Sequence, residues 1–366
     1  MKKTILMIGN TSWSMLRFRG DLMQKLISQG HTVVVVAPKD NYSAELEKLG
    51  ARFIDLVVDR KGTNPFIDLA YLLKLVRIFL NEKPNVVFTY TIKPILYGTI
   101  AAFLAQVPQR IAVTTGLGNT FNSDNLINKI TKILYRFSLT FASEVWFLNS
   151  DDANTFINHK LTSRNKVFLL PGEGINLNYY TFVTSKGRET FTLISRMLWD
   201  KGIGIFVDAA RELKKTYPHL NFLLVGPVDE GNPEGIKLLQ LQDWNHQGIV
   251  KYCGSVDDIR EILKQTTCLI HPTYYKEGLP RVLMEACAMG VPCITTNIPG
   301  CRDVVVDGLN GILVPPMNAK ALVEAIINFM DLDEDARNTF SVQGRARMNE
   351  NFSMEKINSI YLSKIL

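Results

Sequence analysis

Two α/β domains, each built on a doubly wound parallel sheet, are the fold class this sequence predicts, on three observations. Short apolar runs with little internal alternation recur along the chain, and stretches of helical period separate them. That alternation lapses once, over residues 176–189, and then restarts. The length, 366 residues with 46% hydrophobic content, suits two cores of ordinary size.

The elements follow in chain order. The apolar run after Met1-Lys-Lys-Thr is too short for a signal peptide and enters the loop Asn10-Thr-Ser-Trp-Ser14, so 5–8 reads as a first strand. Further strands are expected at 33–37, 53–57, 86–89, 110–114, 144–147 and 166–169. Helices are expected at 16–29, 65–80 and 129–141, the first ended by Gly30, where a left-handed cap suits glycine. After the lapse come strands at 191–194, 222–225, 250–253, 268–271 and 292–295, with helices at 202–217, 233–242 and 281–289. Helices at 319–330 and 333–349 follow, then an amphipathic segment, 354–366, that needs a partner and is expected to pack back on the first domain. The expected division is 1–175, 176–350 and a terminal helix, 351–366. Parallel sheets bind ligands beyond the carboxyl ends of their strands, so the expectation is two Rossmann-like domains facing across a cleft.

Composition narrows the function. No run of 18 uncharged apolar residues occurs, so nothing reads as a membrane span. The five cysteines, Cys253, Cys268, Cys287, Cys293 and Cys301, form no Cys-x-x-Cys pair, and reduced core thiols of a cytoplasmic protein are expected. Residues 1–150 hold 18 lysines and arginines against 10 aspartates and glutamates, a net of +8, whereas the remainder holds 23 against 25, a net of −2. Such asymmetry suits a first domain facing nucleic acid, phosphates or a membrane surface, or else a merely soluble basic face.

Chemistry concentrates in Glu277-Gly-Leu-Pro-Arg-Val-Leu-Met-Glu285-Ala-Cys-Ala-Met-Gly290-Val-Pro292. A helix is expected to open near Leu279, with Pro280 in its first turn, where a missing N–H costs nothing. The amides of Gly278, Leu279 and Arg281 then lie near a helix N-terminus, which favours partial negative charge. Glu277 precedes the helix and Glu285 lies one to two turns in. Two such carboxylates suit a polyhydroxylated ligand, because each accepts two hydroxyl hydrogen bonds. Taken alone, the pair reads better as an N-cap and a surface glutamate.

The whole run resembles family 4 of the retaining glycosyltransferases, whose signature is a glutamate, seven residues and a second glutamate, within Glu-Gly-x-Pro and Glu-Ala-x-Ala-x-Gly-x-Pro. Ser195-Arg196-Met-Leu-Trp-Asp-Lys201-Gly202 is similar to another element of that family, with Ser195 where glycine is common. So are Pro299-Gly300-Cys-Arg-Asp303-Val-Val and Asp307-Gly308-Leu-Asn310-Gly311-Ile-Leu-Val314. The resemblance implies the two-domain GT-B fold and retaining transfer from a nucleotide sugar. It implies that Arg196 and Lys201 clamp the donor diphosphate, that Glu277 holds donor-sugar hydroxyls, and that Glu285 holds the ribose hydroxyls. Gly278, Leu279 and Pro280 would line the donor, and Tyr252, in Tyr252-Cys253-Gly254, would flank the base. Two cations at the leaving diphosphate make a metal unnecessary, so no metal cofactor is expected. Asp331-Leu-Asp333 has the form of a metal-binding pair but reads as helix-capping carboxylates. His271 reads as a satisfied strand-end histidine rather than a catalytic base.

In the first half, Phe18-Arg19, Tyr90-Thr-Ile-Lys93-Pro94-Ile-Leu-Tyr97-Gly98 and Thr115-Gly116-Leu-Gly118-Asn-Thr-Phe121 are narrower. They resemble bacterial members that build O-antigen, capsule or N-linked glycan precursors on undecaprenyl diphosphate, several of which transfer N-acetylgalactosamine. This implies a UDP-sugar donor, a lipid-linked acceptor, no nucleic acid, and an acceptor side made by Arg19, Lys93, Thr115, Gly116 and Gly118. The two glycines read equally well as tight-turn residues. Pro171-Gly172-Glu173-Gly174-Ile175-Asn176 is similar to the family's hinge entry, with Asn176 in place of aspartate. Peripheral attachment at the cytoplasmic face of the inner membrane is expected through 126–137, where Lys129, Lys132 and Arg136 are spaced helically among Ile130, Ile133, Leu134 and Phe137. Residues 71–80, with Lys74 and Arg77, would extend the patch. Two rivals remain: a nucleotide-sugar 2-epimerase of the same architecture, and a non-catalytic glycan- or nucleic-acid-binding protein.

Overall fold

The computed structural model describes residues 2–59, 62–117, 121, 126–183, 189–229 and 231–365. The chain forms two compact domains, Met1–Gly174 together with Met354–Leu366, and Ile175–Ser353.

The first domain alternates strand and helix: β1 (Thr4–Ile8), α1 (Ser12–Ser28), β2 (Thr32–Ala37), α2 (Ser43–Lys48), β3 (Arg52–Asp55), α3 (Pro65–Glu82), β4 (Val86–Tyr90), α4 (Thr99–Leu104), β5 (Gln109–Thr114), α5 (Leu126–Thr140), β6 (Glu144–Phe147), α6 (Ser150–Asn158) and β7 (Val167–Leu169). The strands form one parallel sheet ordered β3-β2-β1-β4-β5-β6-β7, with Ile5 of β1 opposite both Val33 and Val86. Helices cover such a sheet on both faces, so its inner strands β2, β1 and β4 are buried almost throughout, and that burial is why they read as unbroken apolar runs, whereas the edge strand β3 is half-exposed. Helix starts obey local chemistry. Thr11 caps α1 by accepting from the Ser14 amide, and Asn64 caps α3 ahead of Pro65.

The second domain repeats the scheme: β8 (Thr190–Ile194), α7 (Ile203–Thr216), β9 (Asn221–Val225), α8 (Leu238–His246), β10 (Lys251–Tyr252), α9 (Arg260–Lys264), β11 (Cys268–His271), α10 (Arg281–Ala288), β12 (Cys293–Thr296), α11 (Cys301–Val304), β13 (Gly311–Val314), α12 (Ala319–Asp331) and α13 (Glu334–Phe352). The parallel order is β10-β9-β8-β11-β12-β13. Phe191, Phe206, Phe222 and Phe329 fill one core cluster, and Leu269, Leu283 and Met284 belong to another. Because β8 and β11 are neighbours, the loops leaving their carboxyl ends emerge side by side.

The last helix, α14 (Met354–Ile365), belongs to the first domain. Its Tyr361 ring lies 5.1 Å from Phe88 and 5.0 Å from Trp146, and its hydroxyl is 3.3 Å from that of Tyr90. Lys364 pairs with Glu144 at 3.0 Å.

Three expectations need correction. The stretch from 176 is no linker: Arg345 donates to the Leu177 carbonyl at 2.9 Å, and the Val183 amide donates to the Met289 carbonyl at 2.9 Å. The second domain therefore begins at Ile175, and 351–353 close it rather than opening the terminal helix. The helix expected at 233–242 starts only at Leu238, because turns closed on Asp229 and Asn232 occupy the residues before it. Among the described residues, no helix is long and apolar enough to cross a membrane.

Candidate functional site

The adjacent loops after β8 and β11 build a compact charged cluster. The first makes a single tight turn, Trp199–Lys201, ended by Gly202 at φ 76°. A Cβ on Gly202 would stand 2.0 Å from the Pro272 carbonyl oxygen, so only glycine lets this loop press against the residue after β11. The Asp200 carbonyl then accepts from the amides of Tyr274 (3.0 Å) and Tyr275 (3.2 Å) and from the Thr273 hydroxyl (3.1 Å), lacing the two loops together. Lys201, only 7% exposed, is thereby delivered to Glu277: its Nζ lies 2.6 Å from Oε1 and 4.4 Å from the Tyr275 ring centre. His271 ends β11 beneath them, with Nε2 3.4 Å from the same Oε1.

Electrostatics follow from this packing. Burial alone would raise the Glu277 carboxyl, but the Lys201 ammonium and His271 outweigh it and hold the group well below the usual carboxylate range. Asp200 moves the other way. Burial dominates and raises it, against the pull of Lys201 and Arg196. Its Oδ1 is buried without a partner. Arg196 is half exposed and lies 3.4 Å from Asp229, so both expected diphosphate cations carry carboxylate counter-ions in the free protein.

The rest of the motif is built on α10. Pro280, at ψ 111°, is extended and caps the helix from outside, not in its first turn as the sequence suggested; α10 begins at Arg281. Gly278 lies buried before it, and Gly300 packs so closely that a Cβ would stand 2.6 Å from the Gly278 carbonyl oxygen. Glu285 is buried. Its Oε1 accepts from the Tyr180 hydroxyl at 2.6 Å and from Arg281 Nε at 3.0 Å, and burial followed by that carboxylate raises the Tyr180 phenol. Tyr252, on the edge strand β10, donates its hydroxyl to the Gly226 carbonyl at 3.0 Å.

Two of the first-domain residues expected on the acceptor side are held by ion pairs within their own domain. Arg19 is buried in an ion pair with Glu173, and its guanidinium stacks 3.8 Å from the Tyr90 ring centre. Lys93 lies 2.5 Å from Asp68, which also accepts from the Tyr97 hydroxyl at 2.7 Å. Both cations are thus neutralised inside the domain. Thr115 and Gly116, at φ 141°, follow β5 half-buried, and Gly118 lies outside the described residues. Asp333 caps α13, accepting from the Ala336 amide at 2.8 Å. Sequence reasoning missed Asp200, Tyr275 and Tyr180, and misread His271, whose two ring nitrogens are both buried without hydrogen-bond partners. The only signal was position, two of them standing within six residues of Glu277 and one beside Lys201.

The chain matches two family models, Glycosyl transferase 4-like over residues 4–149 and Glycosyl transferases group 1 over residues 182–347. It is a glycosyltransferase. The glycosyltransferase is 29% identical to the N,N'-diacetylbacillosaminyl-diphospho-undecaprenol alpha-1,3-N-acetylgalactosaminyltransferase of Campylobacter jejuni, with 97% of each chain covered. It is 26% identical to the UDP-Gal:alpha-D-GlcNAc-diphosphoundecaprenol alpha-1,3-galactosyltransferase of Escherichia coli, covering 82% of this chain and 80% of that one. In fold it is similar to a glycosyltransferase from Rickettsia africae, with a TM-score of 0.81, 20% identity and coverage of 100% and 98%. It is likewise similar to Anabaena HepE in complex with UDP and glucose, with a TM-score of 0.79, 19% identity and 99% of each chain covered. The group 1 match spans Arg196, Lys201, Glu277 and Glu285; the 4-like match spans Arg19, Lys93 and Thr115.

Proposed function

We propose that this glycosyltransferase moves a sugar, N-acetylgalactosamine first among the candidates, from a UDP-sugar to a lipid-diphosphate-linked saccharide in bacterial surface-glycan assembly, with retention of configuration. The observation that carries the reading is the buried Lys201–Glu277 pair on the second domain, beside exposed Arg196. Relatives of this chain carry names that describe the same chemistry, transfer to diphospho-undecaprenol-linked sugars. In the reading, the anomeric C–O bond of the donor breaks while Arg196 and Lys201 neutralise the departing diphosphate. Glu277 accepts from donor-sugar hydroxyls and Glu285 from the ribose. The leaving phosphate takes the acceptor proton, and the barrier falls through charge placement and positioning. A screen of nucleotide sugars with and without undecaprenyl-diphosphate-linked acceptor tests this by release of UDP. Release only with acceptor supports it; a 2-epimerised nucleotide sugar, or no turnover with any donor, overturns it.

The same reading places the protein at a bilayer, through the first domain. On α5, Ile133 (67% exposed) and Phe137 (56%) face outward with Ile130, between exposed Lys129 and Arg136. Leu134 instead packs into the core, and Lys132 lies over the Phe121 ring at 5.5 Å, so neither belongs to the outer face as expected. α3 adds Phe66 (80%), Leu69 and Leu73 beside Lys74 and Arg77. Phe103 of α4 stacks on Phe141 at 4.4 Å, which meets Phe137 at 5.2 Å, extending the apolar surface from α5 to α4. Apolar surface of this extent, studded with cations, suits an anionic bilayer. Sedimentation with anionic liposomes tests the contact: binding should be lost when Ile133 and Phe137 become aspartate, and binding that persists rules this face out.

A further inference from the structure

His271 is a buried ionisable group at the donor site that the proposed chemistry leaves without a task. It stands at the carboxyl end of β11, between β8 and β12, and is 2% exposed. Its backbone is fixed from outside: the Thr295 hydroxyl donates to the His271 carbonyl at 2.7 Å. Its ring is not. Neither Nδ1 nor Nε2 has a hydrogen-bond partner, although both are shielded from solvent. Buried polar atoms are almost always paired, so an imidazole with two bare nitrogens beside a carboxylate marks a bond that is made in another state of the site.

The neighbouring charges say which bond. Nε2 lies 3.4 Å from Glu277 Oε1, a few tenths of an ångström beyond a normal hydrogen bond. Lys201 holds that same oxygen at 2.6 Å, and Tyr275 lies under the Lys201 ammonium at 4.4 Å. Asp200 and Arg196 sense the same cluster from the loop after β8. Cys301, whose thiol burial pushes up to about 12, senses it from α11. Two groups lie against the Glu277 carboxylate, Lys201 from the loop after β8 and His271 from the end of β11. Once both donors engage Oε1, the orientation of the carboxylate is set, which leaves Oε2 to accept from a ligand hydroxyl.

We infer that His271 is a positioning residue for Glu277: with its proton on Nε2, it donates to Oε1 and fixes the carboxylate against the donor sugar once Lys201 turns toward the diphosphate. This rests on the role proposed above for Glu277. The exchange has a simple logic. A Lys201 ammonium shared with a leaving diphosphate holds its 2.6 Å partner Glu277 less firmly, so a second donor on the carboxylate keeps it placed at that moment. A ring nitrogen 3.4 Å away, with no other partner to give up, supplies it.

The test uses two polar replacements of different reach. Glutamine places its amide nitrogen near the Nε2 position, whereas asparagine falls short of it. His271→Asn is expected to lower kcat about 10–100-fold, the usual range for losing a group that orients a catalytic side chain, and His271→Gln to recover most of it. The dissociation constant for UDP, which lacks the sugar, is expected to stay within about twofold in both variants. The two changes are also expected to be non-additive: in a Glu277→Ala background, His271→Asn should cost no further activity. Equal loss in the Asn and Gln variants, or the same loss with and without Glu277, overturns the inference. If Glu277→Ala itself keeps full activity, it is the reading of Glu277 that fails.

Discussion

At the scale of single residues, the donor site is built on carboxylates whose surroundings are asymmetric. Glu277 is held by Lys201 on one oxygen, with His271 Nε2 3.4 Å from the same atom, so its replacement should remove a group that acts in the transition state without removing a core side chain. Glu277→Ala is expected to lower kcat by about 10²–10³, far more than the lowered unfolding temperature that an unpaired Lys201 brings would account for. Glu285 sits deeper, between Tyr180 and Arg281, and in the proposed reading meets the ribose. Glu285→Ala is expected to weaken UDP by about 10–100-fold in calorimetry, the loss typical of a charged hydrogen bond. A pH dependence follows from the same geometry. The folded Glu277 carboxyl lies below its ordinary value of 4.5, because Lys201 and His271 overcome burial. Its contribution to stability is therefore complete above that value and is lost as pH falls toward the depressed folded one. Lys201→Met removes the stronger partner. Thermal unfolding between neutral pH and pH 3 should then lose less stability on acidification than the parent, from a lower starting point; parallel curves would contradict the assignment.

At the scale of elements, glycine geometry places the cluster. Gly202 adopts φ 76° against the Pro272 carbonyl, so Gly202→Ala incurs about 1–2 kcal/mol for the left-handed backbone alone, before the clash is counted. The variant is expected to unfold at lower denaturant and to lose activity beyond that, because Lys201 is displaced. A second prediction concerns α14. Tyr361 is buried against Phe88, Trp146 and Tyr90, and Tyr361→Ala is expected to cost about 3–5 kcal/mol, seen as an earlier unfolding of the first domain. Most elements were legible in the sequence because parallel strands are apolar on both faces, and His271 and Arg281 mark real element ends. The misread stretches have local causes. The turns at Asp229 and Asn232 displaced a helix start, and 176–183 looked like a linker because backbone groups, which a side-chain pattern does not reveal, tie it to Arg345 and Met289. The site was legible as a motif but not as geometry. Nothing in the spacing showed that Arg19 and Lys93 would be neutralised by Glu173 and Asp68, residues 154 and 25 positions away.

At the scale of the whole molecule, charge and apolar surface are divided by domain. The first domain has the basic excess and exposes Phe66, Ile133 and Phe137, whereas the second holds the paired carboxylates and cations of the donor site. That division is what a transferase needs when one substrate is a soluble nucleotide sugar and the other is anchored in lipid. It also separates the predictions: changes on α3 and α5 should alter liposome binding and leave UDP affinity alone, and changes at Lys201 should do the reverse. The central claim is retaining transfer from a UDP-sugar by the second-domain cluster, with Arg196 and Lys201 in the place of a metal. It is tested most directly by following UDP-N-acetylgalactosamine and an undecaprenyl-diphosphate-linked saccharide by NMR, in EDTA, with the parent and with Glu277→Ala. The account predicts an α-linked product from the parent in the chelator and almost none from the variant. A β-linked product, a parent that works only after manganese is restored, or a variant as active as the parent would contradict it.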